Sequence, residues 1–310
     1  MEPLTSHRVI VWLVSALALS GGSGCTSRPH SGLPVPDAGP EPTDAFAARD
    51  APLQRVDANF PDTGPSCTNG SCYTVYAHSD HVLYAVDLTN HMLTTVGPFQ
   101  PTGTQDTMTD LAVRADGTIY TVSHTTLYTA DPSDGHVTRV ASLGSCGTET
   151  VALSFGPDGT LYAGDYQGAF CHIDVSTSPP RVTQTLMLSG GYALSGDLVV
   201  VADGTMYGTV YRLGDPSTGG TQTNNLLAQI NPSTAAVTVL GSTGYPKLFG
   251  VAYQLGEVFG FTHDGSGDVV TIDHTSGVGT LFGTFMDPTT GHGISFAGAG
   301  VNVNVPRGPF

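Results

Sequence analysis

A short pattern recurs along most of this chain at a nearly constant interval. Its three clearest copies read Asp-Gly-Thr, an apolar residue and Tyr, and they begin at Asp116, Asp158 and Asp203. Two looser copies centre on Gly256 and Gly300, so the glycines recur every 42 to 52 residues. Each copy follows an alternating apolar run, and a repeat of this length with strand-like content is typical of propeller blades. The repeat therefore predicts an all-β chain built from blades around an axis.

One repeat, residues 110–143, divides into four short strands. Asp116-Gly117 suits the tight turn between the first two, because glycine tolerates positive φ and the aspartate side chain holds its own backbone. The third strand ends in an Asp or Asn in every repeat, at Asp87, Asp131, Asp174, Asn231 and Asp273. Such side chains start turns by accepting local N–H groups. We therefore assign these residues, and the Asp-Gly hairpins, to the scaffold.

The two ends of the repeat region complement each other. Residues 73–99 supply second, third and fourth strands but no first, whereas residues 293–297 supply a first strand with nothing complete after it. Together they form a composite blade, which hides the open sheet edges of the ring. The prediction is a five-bladed β-propeller with four antiparallel strands per blade, closed by both termini. A six-bladed ring is the alternative.

The repeats resemble the bacterial DGTLY and LYxIDPxTG repeat proteins, a broad β-propeller superfamily. The resemblance covers roughly residues 73–303. It implies the fold and is nearly silent on activity, because propellers serve as lectins, hydrolases, lyases and scaffolds.

Residues 1–25 resemble a bacterial lipoprotein signal peptide. His7 and Arg8 precede an apolar run over residues 9–19, which is too short to span a membrane, and small residues lead to Cys25. In that family the cysteine is lipidated and becomes the N-terminus; Gly22 departs from the pattern, where leucine is usual. The resemblance implies an exported protein, lipid-anchored in the cell envelope at the outer membrane. A simply cleaved signal and a secreted or periplasmic protein are the alternative.

Residues 26–65 are rich in Pro, Ala, Asp and Gly. No period of 2 or 3.6 persists, so no face of this segment can be buried. We predict a disordered linker here and assign residues 66–310 to the propeller.

The chain contains five cysteines, and the predicted lipid anchor would use one of them. With Cys25 as the lipid site, four remain in the propeller, and an exported chain can oxidise them. Cys67 and Cys72 flank an Asn-Gly turn, and Cys146 lies about one blade before Cys171. Three pairings are possible, and we predict the disulfides Cys67–Cys72 and Cys146–Cys171. A zinc site is the alternative, but neither CxxC spacing nor a histidine partner accompanies the cysteines, and we expect no metal.

The chain is strongly acidic, with a formal net charge of -16 from 10 Lys and Arg against 26 Asp and Glu. Nucleic-acid phosphates and anionic lipid surfaces both need a basic face. We therefore expect no nucleic-acid partner, and membrane contact only through the lipid anchor. The acidity indicates solubility outside the cell; a surface that binds cations is the alternative.

The predicted functional end of the ring carries the loops that join fourth to first strands and second to third strands, because hairpin turns occupy the other end. Loops of the first kind converge at the axis, and their carboxylates, aromatic residues and one lysine fit a small-ligand pocket. The predicted ligand-binding residues are Asp106, Asp110, Glu149, Tyr192, Lys247 and His292. A wider ring, suited to a contact rim, consists of Asp80, His124, Tyr166, Tyr211 and His263.

The favoured function is a binding or scaffold module for a small molecule, a glycan or an envelope protein, acting as a monomer without a cofactor. The alternative is a hydrolase or lyase of glycosidase or lactonase type, in which Asp106, Asp110 and Glu149 line the central funnel. Glycoside hydrolysis needs two carboxylates about 5 to 9.5 Å apart. The sequence contains neither GxSxG nor HExxH, which favours binding over catalysis. A funnel that recognises nothing specific is the remaining possibility.

Overall fold

The computed structural model describes residues 74–100, 107–215 and 224–304. The features predicted outside these ranges are the signal of residues 1–25, the linker of residues 26–65, Cys25, Cys67, Cys72 and Asp106. The interpretations of those features stay predictions.

β-Strands make up nearly all of the regular structure within these ranges, as short runs of β-branched and aromatic residues between turns favour. In chain order they are β1 Val75–His78, β2 Val82–Asp87, β3 Met92–Pro98, β4 Asp110–Val113, β5 Ile119–Val122, β6 Thr126–Ala130, β7 Val137–Ser142, β8 Thr150–Phe155, β9 Leu161–Asp165, β10 Ala169–Asp174, β11 Arg181–Met187, β12 Tyr192–Val200, β13 Met206–Arg212, β14 Asn224–Ile230, β15 Val237–Pro246, β16 Leu248–Gln254, β17 Glu257–Thr262, β18 Asp268–Ile272, β19 Gly279–Thr284 and β20 Gly298–Gly300. One short 3-10 turn, Ser189–Gly191, accompanies the strands in the described chain. Within the same residues, no helix has the length and apolar character needed to cross a membrane.

The strands form five four-stranded antiparallel sheets. Four sheets use consecutive strands, β4 to β7, β8 to β11, β12 to β15 and β16 to β19, and we number them blades 2 to 5. The remaining sheet, blade 1, has the order β20-β1-β2-β3. The innermost strands β20, β4, β8, β12 and β16 contact one another in that order around the axis. The prediction of a five-bladed β-propeller closed by a composite blade is confirmed.

Four of the five glycines that mark the repeat lie in the turn between the first and second strands. Gly117, Gly159, Gly204 and Gly256 have φ between 84 and 89°. In the three clearest copies, the aspartate before the glycine accepts the backbone N–H of the threonine two residues further on at 3.0 Å. Gly300 differs, because it ends β20 and no second strand of its own blade follows it. The fifth copy is therefore not a hairpin.

The first strand of blade 1 also lies further along the chain than predicted, at β20 instead of residues 293–297. The Phe296 N–H donates to the Thr262 carbonyl of blade 5 at 2.9 Å, and the Ala297 N–H donates to the His78 carbonyl of blade 1 at 2.7 Å. The apolar segment before β20 therefore bridges two blades instead of extending a sheet. Its alternating pattern reflects packing between the blades.

The Asx residues that end the third strands all start turns, as predicted. Each accepts a backbone N–H two or three residues further on at 2.7 to 3.0 Å. Asp287 starts a further turn of the same kind, with a hydrogen bond of 2.8 Å. The five side chains that end third strands are occupied by the scaffold at the end of the ring that carries the hairpins, whereas Asp287 follows a fourth strand.

Burial decreases from the axis outward. Every residue of β4, β8 and β20 is buried, whereas the outer strands β3 and β11 are mostly exposed. Fully buried aromatic side chains such as Phe170, Phe259 and Phe261 belong to the apolar cores of the ring. Because this burial supplies most of the stabilising free energy, the strand ends around the axis form a firm base for the loops above them.

The predicted disulfide between Cys146 and Cys171 is present, with 5.6 Å between the two Cα atoms. Cys146 precedes β8 and Cys171 lies in β10, and both are buried. The bond therefore ties the loop that enters blade 3 to the third strand of the same blade.

Candidate functional site

A pocket of about 160 Å³ opens at the end of the ring where the predicted functional loops lie. Its lining consists of Asp80, Thr107, Met108, Thr109, His124, Val151, Tyr166, Gly196, Phe249, His263 and Ala297. The floor residues Thr109, Val151, Gly196, Phe249 and Ala297 lie at or beside the inner strands, one from each blade. We call this cavity the axial pocket.

The wall of the axial pocket contains four members of the predicted wider ring. Asp80, His124, Tyr166 and His263 come from the junctions between second and third strands in blades 1, 2, 3 and 5. The fifth member, Tyr211 in blade 4, does not line the pocket, but its hydroxyl donates to the Tyr166 carbonyl at 2.7 Å. The structure therefore brings the wider ring together around one cavity.

The residues predicted to bind a ligand lie around or beneath this pocket instead of lining it. Asp110 is buried below the floor, and the lining does not include Glu149, Tyr192, Lys247 or His292. The loops predicted to carry them span residues 105–110, 147–151, 190–196, 244–249 and 289–293, and all but the last supply lining residues. Whether any of the predicted residues contacts a ligand stays a prediction.

Backbone hydrogen bonds connect the wall to the inner loops. The Met108 N–H donates to the Asp80 carbonyl at 3.3 Å, and the Thr150 N–H donates to the His124 carbonyl at 3.0 Å. Each of these bonds joins the wall of one blade to the loop that enters the next blade. The shape of the pocket is therefore set by the same contacts that hold neighbouring blades together.

Aromatic rings in the pocket are held in defined positions. His263 stacks on Phe249, with ring centroids 4.7 Å apart and an interplanar angle of 19°. The His263 Nδ1 lies 3.1 Å from the Phe296 carbonyl oxygen, so in the neutral ring we assign the proton to Nδ1 and leave Nε2 as an acceptor. Burial raises the pKa of Tyr166 to about 12, and its phenol therefore stays neutral near pH 7.

Two fully buried aspartates, Asp110 in β4 and Asp197 in β12, lie beneath the floor and hydrogen-bond each other. Asp110 Oδ2 accepts the N–H of Leu153 in β8. Asp197 Oδ2 accepts the N–H of Val251 in β16 at 2.6 Å, and the Asp197 carboxylate also accepts the N–H of Ala299 in β20. We call these two residues the axial acid pair. Their hydrogen bonds reach all five inner strands.

The axial acid pair solves a problem that the propeller geometry creates. The innermost strand of each blade is a sheet edge, and its N–H groups that face the axis have no neighbouring strand to bind. A bulge in β12, where the register shifts between Leu194 and Leu198, displaces Asp197 from the regular pairing. At this bulge, a Cβ on Gly196 would collide with the backbone of Leu248. Glycine therefore permits the close approach of β12 and β16.

Burial raises the pKa of both carboxyl groups of the axial acid pair, and the charge of Asp197 raises that of Asp110 further. Both oxygens of Asp197 accept backbone N–H groups, which favours the ionised form. We therefore assign the carboxylate to Asp197 and the proton to Asp110.

A buried histidine, His78, lies close to the acid pair, because a Cβ on Gly298 would contact both its Nε2 and the Asp110 Oδ1. Burial lowers the pKa of His78 to about 4, so its imidazole is neutral near pH 7. Its Nδ1 lies 2.8 Å from the Ser79 carbonyl oxygen. This contact leaves Nε2 as an acceptor, and Nε2 has no hydrogen-bond partner among the residues described.

The acid pair does not suit the catalytic alternative. The partner of Asp110 is Asp197, and a direct hydrogen bond is too short for the separation of about 5 to 9.5 Å that glycoside hydrolysis requires. Three of the four carboxyl oxygens accept backbone N–H groups. In the described part of the chain, no three His, Cys, Asp or Glu side chains are grouped so that they could hold a metal ion.

Sequence reasoning missed both Asp197 and His78. A usable signal for Asp197 existed, because it interrupts the apolar run of residues 193–201, and a charged residue within such a run is buried only with partners. His78 carries no comparable signal, since it is the last residue of a short strand, like many solvated histidines.

A larger cavity of about 350 Å³ lies at the opposite end of the ring, between blades 2 and 3. The carboxylates in its lining, Asp158 and Asp174, accept the N–H groups of Thr160 and Ser176 at 3.0 and 2.9 Å. Because these polar groups already serve the turns, the axial pocket is the stronger candidate for a ligand site.

Known proteins share the fold of this chain but not its sequence. No protein-family model and no curated protein matches it. A chain in the crystal structure of a nidogen/laminin complex is similar at 12% identity and a TM-score of 0.48, over 74% of this chain and 97% of that one. Virginiamycin B lyase from Staphylococcus aureus (13%, TM-score 0.39, 72% and 74% coverage) and glutaminyl cyclase from Myxococcus xanthus (19%, TM-score 0.39, 63% and 70%) are also similar. At these values the likeness carries no argument about activity or ligand.

Proposed function

We propose that this protein is a binding module that holds a small ligand in the axial pocket. The convergence of five floor residues and four wall residues on one cavity, from all five blades, is the observation that supports this function. The cavity joins aromatic faces to a few polar groups, which is the usual composition of a small-molecule site. Its volume of about 160 Å³ suits one small molecule or one projecting group of a glycan or protein.

Binding is favoured over hydrolysis or lysis because the buried carboxyl groups are already used. The axial acid pair accepts backbone N–H groups from the inner strands, and the wall contains one carboxylate, Asp80. A pair of free carboxylates on opposite sides of a substrate bond is therefore missing from the described lining of the pocket.

We expect the binding function to reside in the pocket wall. A glycan and metabolite screen on the purified protein, with hydrolysis monitored, identifies a ligand. The double variant Asp80→Asn/His124→Ala is then expected to weaken its binding by about tenfold or more, because two wall contacts are lost. The matched control is Asp134→Asn/His136→Ala, which makes the same changes in a turn at the opposite end of the ring.

Unchanged affinity in the wall variant would move the site to another surface. Turnover of the ligand, lost in the same variant, would instead establish the hydrolase or lyase alternative. The thermal midpoint of both variants shows whether the fold is preserved.

We further propose that the propeller is exported as a monomer and held at the cell envelope by lipid on Cys25, with residues 26–65 as its tether. The support is the resemblance of residues 1–25 to a lipoprotein signal and the Pro-rich composition that follows. Mass spectrometry of the mature protein from its native membrane is expected to show an N-terminal, lipid-modified cysteine. An unmodified N-terminus at any other residue would end this part of the proposal.

A further inference from the structure

We propose that the axial pocket selects an organic ammonium ion over neutral and anionic molecules of the same shape. The inference rests on the binding function proposed above, because it names the ligand class of the same pocket. Charge, hydrogen-bonding capacity and aromatic surface around the cavity each favour this class.

The titratable groups in the pocket lining are Asp80, the phenol of Tyr166 and two histidines, His124 and His263. Asp80 is in the wall, and the described lining contains neither lysine nor arginine. The axial acid pair beneath the floor has no cationic partner in the described chain. The ion pairs found there are Arg114 with Asp116 and Arg181 with Asp174. The carboxylate of the axial acid pair therefore adds to the negative potential at the pocket.

A further acidic residue, Glu149, lies near the wall, because it interacts electrostatically with the phenols of Tyr166 and Tyr211. The one histidine beneath the floor, His78, is buried and neutral and so does not offset this charge. A cation entering the pocket is attracted by these groups, whereas an anion of the same shape is repelled.

The pocket offers hydrogen-bond acceptors to such a ligand. The Asp80 carboxylate only accepts hydrogen bonds, and the Nδ1 contact of His263 leaves its Nε2 as an acceptor. His78 Nε2 lies beneath the floor, beside Gly298 and Asp110 Oδ1, and does not line the pocket. An ammonium group carries charge and, when it is not fully alkylated, the N–H donors that complement the acceptors of Asp80 and His263.

Aromatic side chains complete the arrangement. Tyr166 and Phe249 both line the pocket, and the face of an aromatic ring attracts an ammonium ion through its quadrupole. Aromatic rings combined with a carboxylate distinguish a cation from a neutral molecule of equal size, because the apolar contact is the same for both and only the cation gains the electrostatic part.

The test compares three probes that share one shape. Choline, 3,3-dimethylbutan-1-ol and 3,3-dimethylbutanoate present a similar branched group with a positive charge, no charge and a negative charge, respectively. In calorimetric titrations of the purified protein, choline is expected to bind at least about tenfold more tightly than the alcohol, and the carboxylate is expected to bind most weakly. Added salt should weaken choline binding and leave that of the alcohol unchanged.

The variant Asp80→Asn tests the source of the preference. It should reduce the ratio of choline to alcohol affinity severalfold, while Asp134→Asn at the opposite end of the ring leaves the ratio unchanged. Nα-acetyl-lysine amide serves as a fourth probe. Binding tighter than that of choline would identify a protein-borne lysine as the source of the ammonium group, and weaker binding would identify a free quaternary amine.

Equal or tighter binding of the alcohol or the carboxylate would overturn the ammonium inference. Absence of binding by all four probes would overturn it as well. If another screened molecule then binds in a manner that depends on Asp80 and His124, the proposed binding function stands and only the ammonium inference fails. If nothing binds at all, both proposals fail.

Discussion

Replacing Asp197 with alanine is expected to lower the free energy of unfolding by about 3 to 5 kcal/mol. The change leaves the N–H groups of Val251 and Ala299 buried without an acceptor, and it removes the group that hydrogen-bonds Asp110. Since these hydrogen bonds join β12 to β16 and β20, the loss acts on the closure of the ring. Urea unfolding followed by far-UV circular dichroism measures it.

A surface aspartate provides the control for this experiment. Asp158→Ala removes a carboxylate that accepts one backbone N–H in an exposed hairpin, and it should cost about 1 kcal/mol or less. A loss in the Asp197 variant no larger than in this control would show that the axial hydrogen bonds do not hold the blades together.

Isosteric amides separate the two members of the pair. Asn at position 110 can accept the Leu153 N–H and donate to Asp197, as the protonated aspartate does, so Asp110→Asn should be close to neutral near pH 7. Asn at position 197 has one acceptor oxygen in place of two, and its NH₂ group would face a backbone donor. We therefore expect Asp197→Asn to be clearly less stable than Asp110→Asn, and the reverse order would contradict the assignment of the proton.

The free energy of unfolding is expected to fall as pH rises above about 4, because only the folded protein retains the proton on Asp110. The slope is about 1.4 kcal/mol per pH unit for each proton that only the folded state retains. The sign follows from the raised pKa of Asp110, which burial causes: the folded protein keeps a proton that the unfolded chain releases. The stabilising contribution of Asp110 is full when the pH is below the pKa of Asp110 in the unfolded chain. It is lost as the pH rises through the pKa of Asp110 in the folded protein.

His78 acts in the opposite direction over a limited window. Its pKa is lowered to about 4 by burial, so between pH 4 and its usual value near 6.5 the unfolded chain binds the extra proton and stability rises with pH. The two contributions oppose each other in this window, as far as the folded pKa of Asp110.

Subtracting the stability of Asp110→Asn from that of the unmodified protein isolates the contribution of the pair. Urea unfolding from pH 4.5 to 9 should give a difference that falls as pH rises towards the folded pKa of Asp110 and is constant above it. A difference independent of pH would mean that Asp110 is ionised in the folded protein, contrary to our assignment.

The sequence by itself determined the repeating unit and much of its detail. The Asp-Gly hairpins and the Asx residues that end third strands depend on contacts within a few residues, so Asp116, Asp158 and Asp203 could be assigned to turns from local chemistry alone. Alternating apolar runs indicated strands, and the complementary ends indicated a composite blade, because both features follow from the periodicity of the chain.

Only the tertiary structure decided what meets at the axis. Asp110 and Asp197 are far apart in the sequence and come together because blades 2 and 4 face each other across the centre of a five-membered ring. The same convergence gathers Asp80, His124, Tyr166 and His263 around the pocket, while Glu149 and Lys247 remain outside its lining. Strand patterns specify which side of a sheet a residue faces, but the distance between side chains on different blades depends on the bulge in β12, the register of β20 and the packing of all five blades.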